Sequence, residues 1–181
     1  MNMKVGSKII LRSLEDKDAV HIESLAGDYD ISKTTLSIPY PYPEGAAVTF
    51  IKCMREAEKK GEVLIYAIAD PIEDQLIGII NLNLSLHHKR GELAYWIGKK
   101  YWGNGYASDA ARELLTIGFE KKGLNRIFAA AFVDNPGSWM VMEKIGMKKE
   151  GTLRGHVYKG GESVDLHYYG MLAEDYHRLN S

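Results

Sequence analysis

The segment Tyr101-Trp102-Gly103-Asn104-Gly105-Tyr106-Ala107-Ser108-Asp109-Ala110 sets two glycines between a strand-like run and a long amphipathic stretch. Glycine reaches backbone conformations closed to other residues, so a Gly-x-Gly turn can aim several N–H groups into one concavity. A helix starting there adds its unpaired first amides and the positive end of its dipole. The segment reads as an anion cradle that suits a diphosphate. A dinucleotide fingerprint would want glycine where Ser108 stands and a carboxylate about 20 residues further on, and neither requirement is met well. A nucleoside-triphosphate loop would close on Gly-Lys-Ser or Gly-Lys-Thr, which do not occur. The phosphates implied belong to another ligand.

With 181 residues, 45% hydrophobic and 26% charged, the chain suits one compact core, so a single domain over residues 1–181 is expected. A formal net charge of −1 gives no general attraction for nucleic acid or an anionic membrane. Cys53 is the only cysteine, which excludes an internal disulfide and a cysteine-cluster metal site. His87-His88 lacks a third ligand at useful spacing, and no metal is expected. The start has no apolar signal core and no run reaches membrane-spanning length, so a cytoplasmic protein is expected.

Periodicity alternates along the chain. Lys8 to Leu14 reads as a strand, Glu15-Asp16 as a capping signal, and Ala19, Ile22, Leu25 and Ala26 as one helix face. Pro43-Glu44 is a good helix start, with Ala47, Phe50, Ile51 and Met54 on one face and Gly61 at the end. Three β-type runs follow, Leu64 to Ala69, Gln75 to Leu86 and Glu92 to Ile97, which predict an antiparallel meander. After the glycine loop a helix runs to about Lys122. Arg126 to Val133 is a β run without internal polar side chains, as for a central strand covered on both faces. A short helix capped by Gly146 and two strands around Gly160-Gly161 complete an α/β order βααβββαβαββ.

That order, with the glycine loop between the fourth strand and third helix, resembles the GCN5-related N-acetyltransferases over essentially the whole chain, and within them the RimJ/RimL-type ribosomal-protein N-terminal acetyltransferases. The features carrying the resemblance are Leu36 to Pro43, Gly91-Glu92-Leu93-Ala94-Tyr95-Trp96-Ile97, the glycine loop, Asn135-Pro136-Gly137-Ser138, and Glu143-Lys144-Ile145-Gly146-Met147 followed by Glu150-Gly151. It implies a mixed, mostly antiparallel sheet with helices on both faces, splayed between the fourth and fifth strands. It implies acetyl-CoA as cosubstrate, with the diphosphate on amides from Gly103 through Asn104, Gly105, Tyr106 and Ala107 to Ser108. Trp102 departs from the general loop pattern and is expected to pack. The pantetheine arm is expected to pair with backbone near Ile97, Gly98 and Lys99 and on the strand through Phe132, as an added strand would. An amide near Ile97 would polarise the thioester carbonyl.

Acetyl transfer to an amine needs a base for the ammonium and a proton for the leaving thiolate. Glu92 is the expected base, the alternative being a surface carboxylate paired with Lys89 or Arg90. Ser138 matches the family's proton donor, with Tyr95 and Tyr106 as substitutes. Asn135 is expected both to cap its helix and to bond the pantetheine, and Lys144 to reach the phosphorylated ribose. His156 is a second base candidate. Tyr40, Tyr42, Asp165 and Tyr168 are the expected acceptor contacts. Cys53, on a helix expected to be in the core, offers no nucleophile. The acceptor implied is a protein or peptide N-terminus, against a small amine such as a polyamine, amino acid or aminoglycoside. A non-catalytic acyl-CoA sensor is the alternative of another class, and a homodimer is left open.

Overall fold

The computed structural model describes residues 3–6 and 8–181. One eight-stranded sheet runs through it: β1 (Met3–Val5), β2 (Ile9–Arg12), β3 (Val63–Ala69), β4 (Leu76–Ser85), β5 (Arg90–Ile97), β6 (Arg126–Phe132), β7 (Lys148–Lys159) and β8 (Glu162–Leu172). Spatial order is β1-β2-β3-β4-β5-β6-β8-β7, and the β5–β6 neighbours are the parallel pair in an otherwise antiparallel sheet. Six α-helices are present among the described residues: α1 (Asp18–Ala26), α2 (Tyr29–Thr34), α3 (Ala46–Lys59), α4 (Tyr106–Thr116), α5 (Pro136–Lys144) and α6 (Ala173–Leu179). The order is ββαααβββαβαββα, which adds β1, α2 and α6 to the pattern predicted.

Each sheet face has its own apolar layer. On one, Ala19, Ile22 and Ala26 of α1 and Ala47 and Ile51 of α3 pack on Val63, Ile65 and Ala67. On the other, Ala110, Ala111 and Leu114 of α4, with Met142 and Tyr176, cover Leu82, Leu93, Ile127, Ala129 and Tyr169. Burying one leucine of Leu114's kind contributes about 2 kcal/mol. The small residues on α4 matter for closeness: a Cβ on Gly118 would lie 2.6 Å from Ile127 Cδ1, so the turn after α4 rests directly on β6.

Several local readings change. The first strand is shorter, Ile9–Arg12, and α1 is not capped by Glu15 or Asp16. Buried Arg12 instead draws Asp18 inward in a two-bond ion pair at 2.8 Å, and Asp18 also accepts from the Glu15 N–H. Helix α3 begins at Ala46 rather than Pro43, because Gly45 takes a left-handed φ of 74° at its N-cap. Cys53 lies on the exposed side of α3, not in the core. Strand β6 is interior to the sheet but covered on one face only: Ile127, Ala129 and Ala131 are buried, while Arg126, Phe128 and Ala130 are half-exposed. The reason is that α1 and α3 pack over β3 and β4 and stop short of β6 and β8.

Candidate active site

The glycine loop takes the conformation its sequence demands. Gly103 and Gly105 have φ of 78° and 81°, a region costing an L-residue about 1–2 kcal/mol. Gly105 is the N-cap of α4, so the amides of Tyr106, Ala107 and Ser108 form the open positive end of that helix. These residues line one wall of a cleft of about 700 Å³. The opposite wall is the start of α5, Asn135 to Ser138, together with Lys144. Lys144 Nζ lies 4.0 Å from where a Gly105 Cβ would stand, so this ammonium sits over the glycine loop itself.

Trp102 also lines the cleft, and its indole N–H donates to the Ile97 carbonyl at 2.6 Å. Asn104 does not line it. Its amide donates to the carbonyls of Tyr101 and Trp102 and so braces the loop from outside. Gly98 and Lys99 are also outside the lining: Gly98 N–H bonds Ile77, and Lys99 forms a 2.5 Å ion pair with Asp30. That pair holds Asp30 below the usual carboxylate range and anchors α2 beside the cleft.

The cleft is continuous with a wedge in the sheet. Strands β5 and β6 pair at Arg90–Glu92 against Arg126–Phe128 and then separate. Alternate residues of a strand direct their hydrogen-bonding groups to opposite neighbours. Since Gly98 N–H bonds β4, the odd-numbered residues of β5 turn toward β6. Past the paired stretch this aims the N–H and C=O of Tyr95 and the N–H of Ile97 into the wedge. The carbonyls of Gly98 and Lys99 are used by a tight turn through Tyr101 and Trp102, which moves the available groups up the strand from where they were expected.

At the wedge's side wall, the Tyr95 hydroxyl donates to the Ser138 carbonyl at 2.8 Å, and Ser138 Oγ donates back at 3.3 Å. Burial pushes the Tyr95 phenol up to about 12, so it stays protonated in neutral solution. Tyr106 lines the cleft at the start of α4. Asn135 makes no side-chain cap for α5. Its amide donates to the Thr34 carbonyl at 3.2 Å and ties the end of α2 to the cleft.

Beyond the wedge apex lies the half-exposed face of β6. Glu92 stands opposite Phe128 in register, and Phe128 stacks on Tyr168 with centroids 6.2 Å apart. Tyr168 is raised by burial and by the charge of Glu92, and its hydroxyl lies 3.4 Å from His156 Nε2. Glu92, His156 and Tyr168 are thus neighbours, and Glu92 has no ion pair with Lys89 or Arg90. Asp165 belongs elsewhere: strand alternation turns it from Tyr168, and its carboxylate accepts the Gly155 N–H in the irregular part of β7. Tyr40 and Tyr42 line a separate pocket of about 360 Å³ with Glu23 and Glu44. Phe128, Thr34, Thr35 and Lys159 were not foreseen. Their roles come from cross-strand and cross-chain neighbours, such as the Lys159 ammonium donating to the carbonyls of Thr35 and Ile38, for which one strand's pattern gives no signal. Among the described residues no group of three His, Cys, Asp or Glu side chains is placed to hold a metal ion, and no helix is long and apolar enough to cross a membrane.

A diphosphate cradle, a narrow cleft and a wedge with free strand edges fit an extended amide-bearing ligand such as acetyl-CoA. Residues 8–148 match the family model described as the acetyltransferase (GNAT) domain. A putative ribosomal N-acetyltransferase of Bacillus subtilis, YdaF, is 32% identical over 186 residues, covering 96% of each chain. The uncharacterized N-acetyltransferase YoaA of the same organism is 28% identical over 166 residues, covering 91% of this chain and 93% of its own. A crystal structure of a probable acetyltransferase superposes with a TM-score of 0.89 at 30% identity, covering 97% of this chain and 98% of that one. The chain belongs to the GNAT acetyltransferase family and is an acetyl-CoA-dependent N-acetyltransferase.

Proposed function

We propose that the acceptor is the N-terminal amine of a protein, of the ribosomal-protein kind handled by RimJ/RimL-type enzymes, and that the reaction takes place in the cytoplasm within one catalytic domain. The observation carrying this reading is Glu92 at the wedge apex, facing a sheet surface that α1 and α3 leave uncovered. A chain end can lie along such a surface, and the relative YdaF, a putative ribosomal N-acetyltransferase, points the same way.

Acetyl-CoA supplies the activated acetyl group. Amides of Gly103 to Ser108, the α4 terminus and Lys144 hold the diphosphate. Backbone donors of Tyr95 and Ile97 orient the arm and the thioester carbonyl. Glu92 takes the ammonium proton, directly or through water, with His156 and Tyr168 beside it. Ser138 Oγ, backed by the protonated Tyr95, delivers a proton at the thiolate end. Transfer is direct within a ternary complex, without an enzyme-bound acetyl group.

The test is CoA release and mass analysis with free-amine peptides, the same peptides N-terminally blocked, spermidine, free amino acids and an aminoglycoside. Acetylation of the free peptides at the α-amine is expected. Preference for a small amine, or transfer to none of the free-amine peptides, overturns the acceptor assignment.

A further inference from the structure

We infer that Arg90 selects acceptors carrying a carboxylate close to the amine, so that the preferred N-terminus has an acidic residue at its second position. This rests on the acceptor face proposed above.

The acceptor face is closed at one end. Phe132 and Leu166, cross-strand partners on it, are only 5% and 6% exposed, while Phe128 and Tyr168 further along are half-exposed. The chain leaving α2 is fixed at the closed end, where Asn135, just past β6, bonds the Thr34 carbonyl and Lys159 from the β7–β8 turn bonds those of Thr35 and Ile38. An acceptor therefore reaches the wedge apex over the Phe128–Tyr168 end.

The charges met there are specific. Arg126 is committed: it makes two bonds to Glu150, at 2.6 and 2.5 Å, across Gly170, where any Cβ would collide with both side chains. Arg90 is not committed. Its guanidinium lies over the Phe128 ring, 5.9 Å from the centroid, and no carboxylate among the described residues pairs with it. Glu92 is also without an ion pair and projects from the same face of β5 two residues on, about 7 Å along the strand. The neighbouring strands place uncharged Ser85 and Asn83 of β4 opposite Arg90 and Glu92, Tyr168 of β8 on Phe128, and His156 of β7 beside Tyr168. An unpaired cation and an unpaired anion at this spacing complement an amine and a side-chain carboxylate one residue apart. Contact with the Phe128 ring limits the freedom of the Arg90 guanidinium, and the Glu150-paired Arg126 guanidinium lies 5.6 Å from the same centroid.

The experiment compares peptides beginning Ala-Glu, Ala-Gln and Ala-Lys with wild type, Arg90→Gln and Arg90→Glu, by kcat/KM and by calorimetric affinity on CoA-loaded protein. Acetyl-CoA affinity serves as the check that each variant is folded. Wild type is expected to favour Ala-Glu over Ala-Gln about tenfold, the worth of one charge-assisted pair. Arg90→Gln should bring that ratio to about one, and Arg90→Glu should turn the preference to Ala-Lys. A wild type indifferent to the second residue, or an Arg90→Gln ratio equal to wild type, overturns the inference. Absence of turnover with every peptide would defeat the peptide-acceptor reading alone, since the affinity ratio still decides the role of Arg90.

Discussion

The two sides of the wedge are built from different material. The donor cleft is built mainly of main chain: amides at Gly103 to Ser108, the α4 terminus, and the strand edges of Tyr95 and Ile97, with the Lys144 ammonium against the loop. The proposed acceptor face consists of side chains from four strands: Glu92, Phe128, His156 and Tyr168. A main-chain site tolerates most side-chain changes but not a change of backbone conformation. A side-chain site is the reverse, since Glu92 can be replaced with little effect on the sheet while its chemistry disappears.

The sharpest way to break this contrast is at Gly105. Valine there must adopt φ near 81° and project toward Lys144, or else rotate the first amides of α4 away from the cleft. Acetyl-CoA affinity should fall about 100-fold by calorimetry, with the far-ultraviolet circular dichroism of the fold retained. Normal affinity would mean that the cradle is not in this loop. On the proposed acceptor side Glu92→Gln keeps shape and removes the proposed base. Turnover should drop about 100-fold while acetyl-CoA affinity stays within about twofold, and a variant with full turnover would exclude Glu92. Ser138→Ala probes the seam between the sides. Its turnover should fall about tenfold at near-normal acetyl-CoA affinity, and an unchanged rate would leave proton delivery to another group.

The same contrast explains what could be read in the sequence. Gly103 and Gly105 announce their positive φ because few other residues accept it, and the switch from alternating to helical apolar spacing around them fixes strand, loop and helix together. The splay after Glu92 followed from resemblance, not from any residue, because strand separation leaves no composition signal. Helix α2 went unread: six residues show little periodicity, and its support comes from the Asp28 cap, the Lys99–Asp30 pair and Asn135. Asn135 does hold the N-cap position before Pro136, but the side-chain caps expected at Asp16 and Asn135 are both missing, for one reason. Each side chain found a tertiary partner, Arg55 for Asp16 and Thr34 for Asn135, in place of the local amide. The acceptor face was legible only in part, since Glu92 and Tyr168 stood out as polar residues in β runs, whereas Phe128 looked like core until the uncovered side of β6 was known.

The smallest effect expected is a pH dependence that separates the wedge from the rest of the fold. Tyr95 and Tyr169 are both pushed up to about 12, Tyr95 by burial beside the cleft and Tyr169 by burial with its hydroxyl donating to Glu143 near the end of α5. An unfolded tyrosine titrates near 10. Between about pH 10 and 12 the folded chain therefore keeps protons that the unfolded chain releases. The stabilisation is intact below pH 10 and is lost as pH rises, at most about 1.4 kcal/mol per pH unit for each group. Tyr95→Phe should flatten the alkaline fall of the urea midpoint, and Tyr169→Phe should do the same independently. Acetyl-CoA distinguishes the two. Filling the wedge buries Tyr95 further without reaching Tyr169, so saturating ligand should steepen the alkaline fall in Tyr169→Phe and not in Tyr95→Phe. Equal ligand effects in both variants would mean that the Tyr95 proton is held by the fold alone and not by the wall of the wedge.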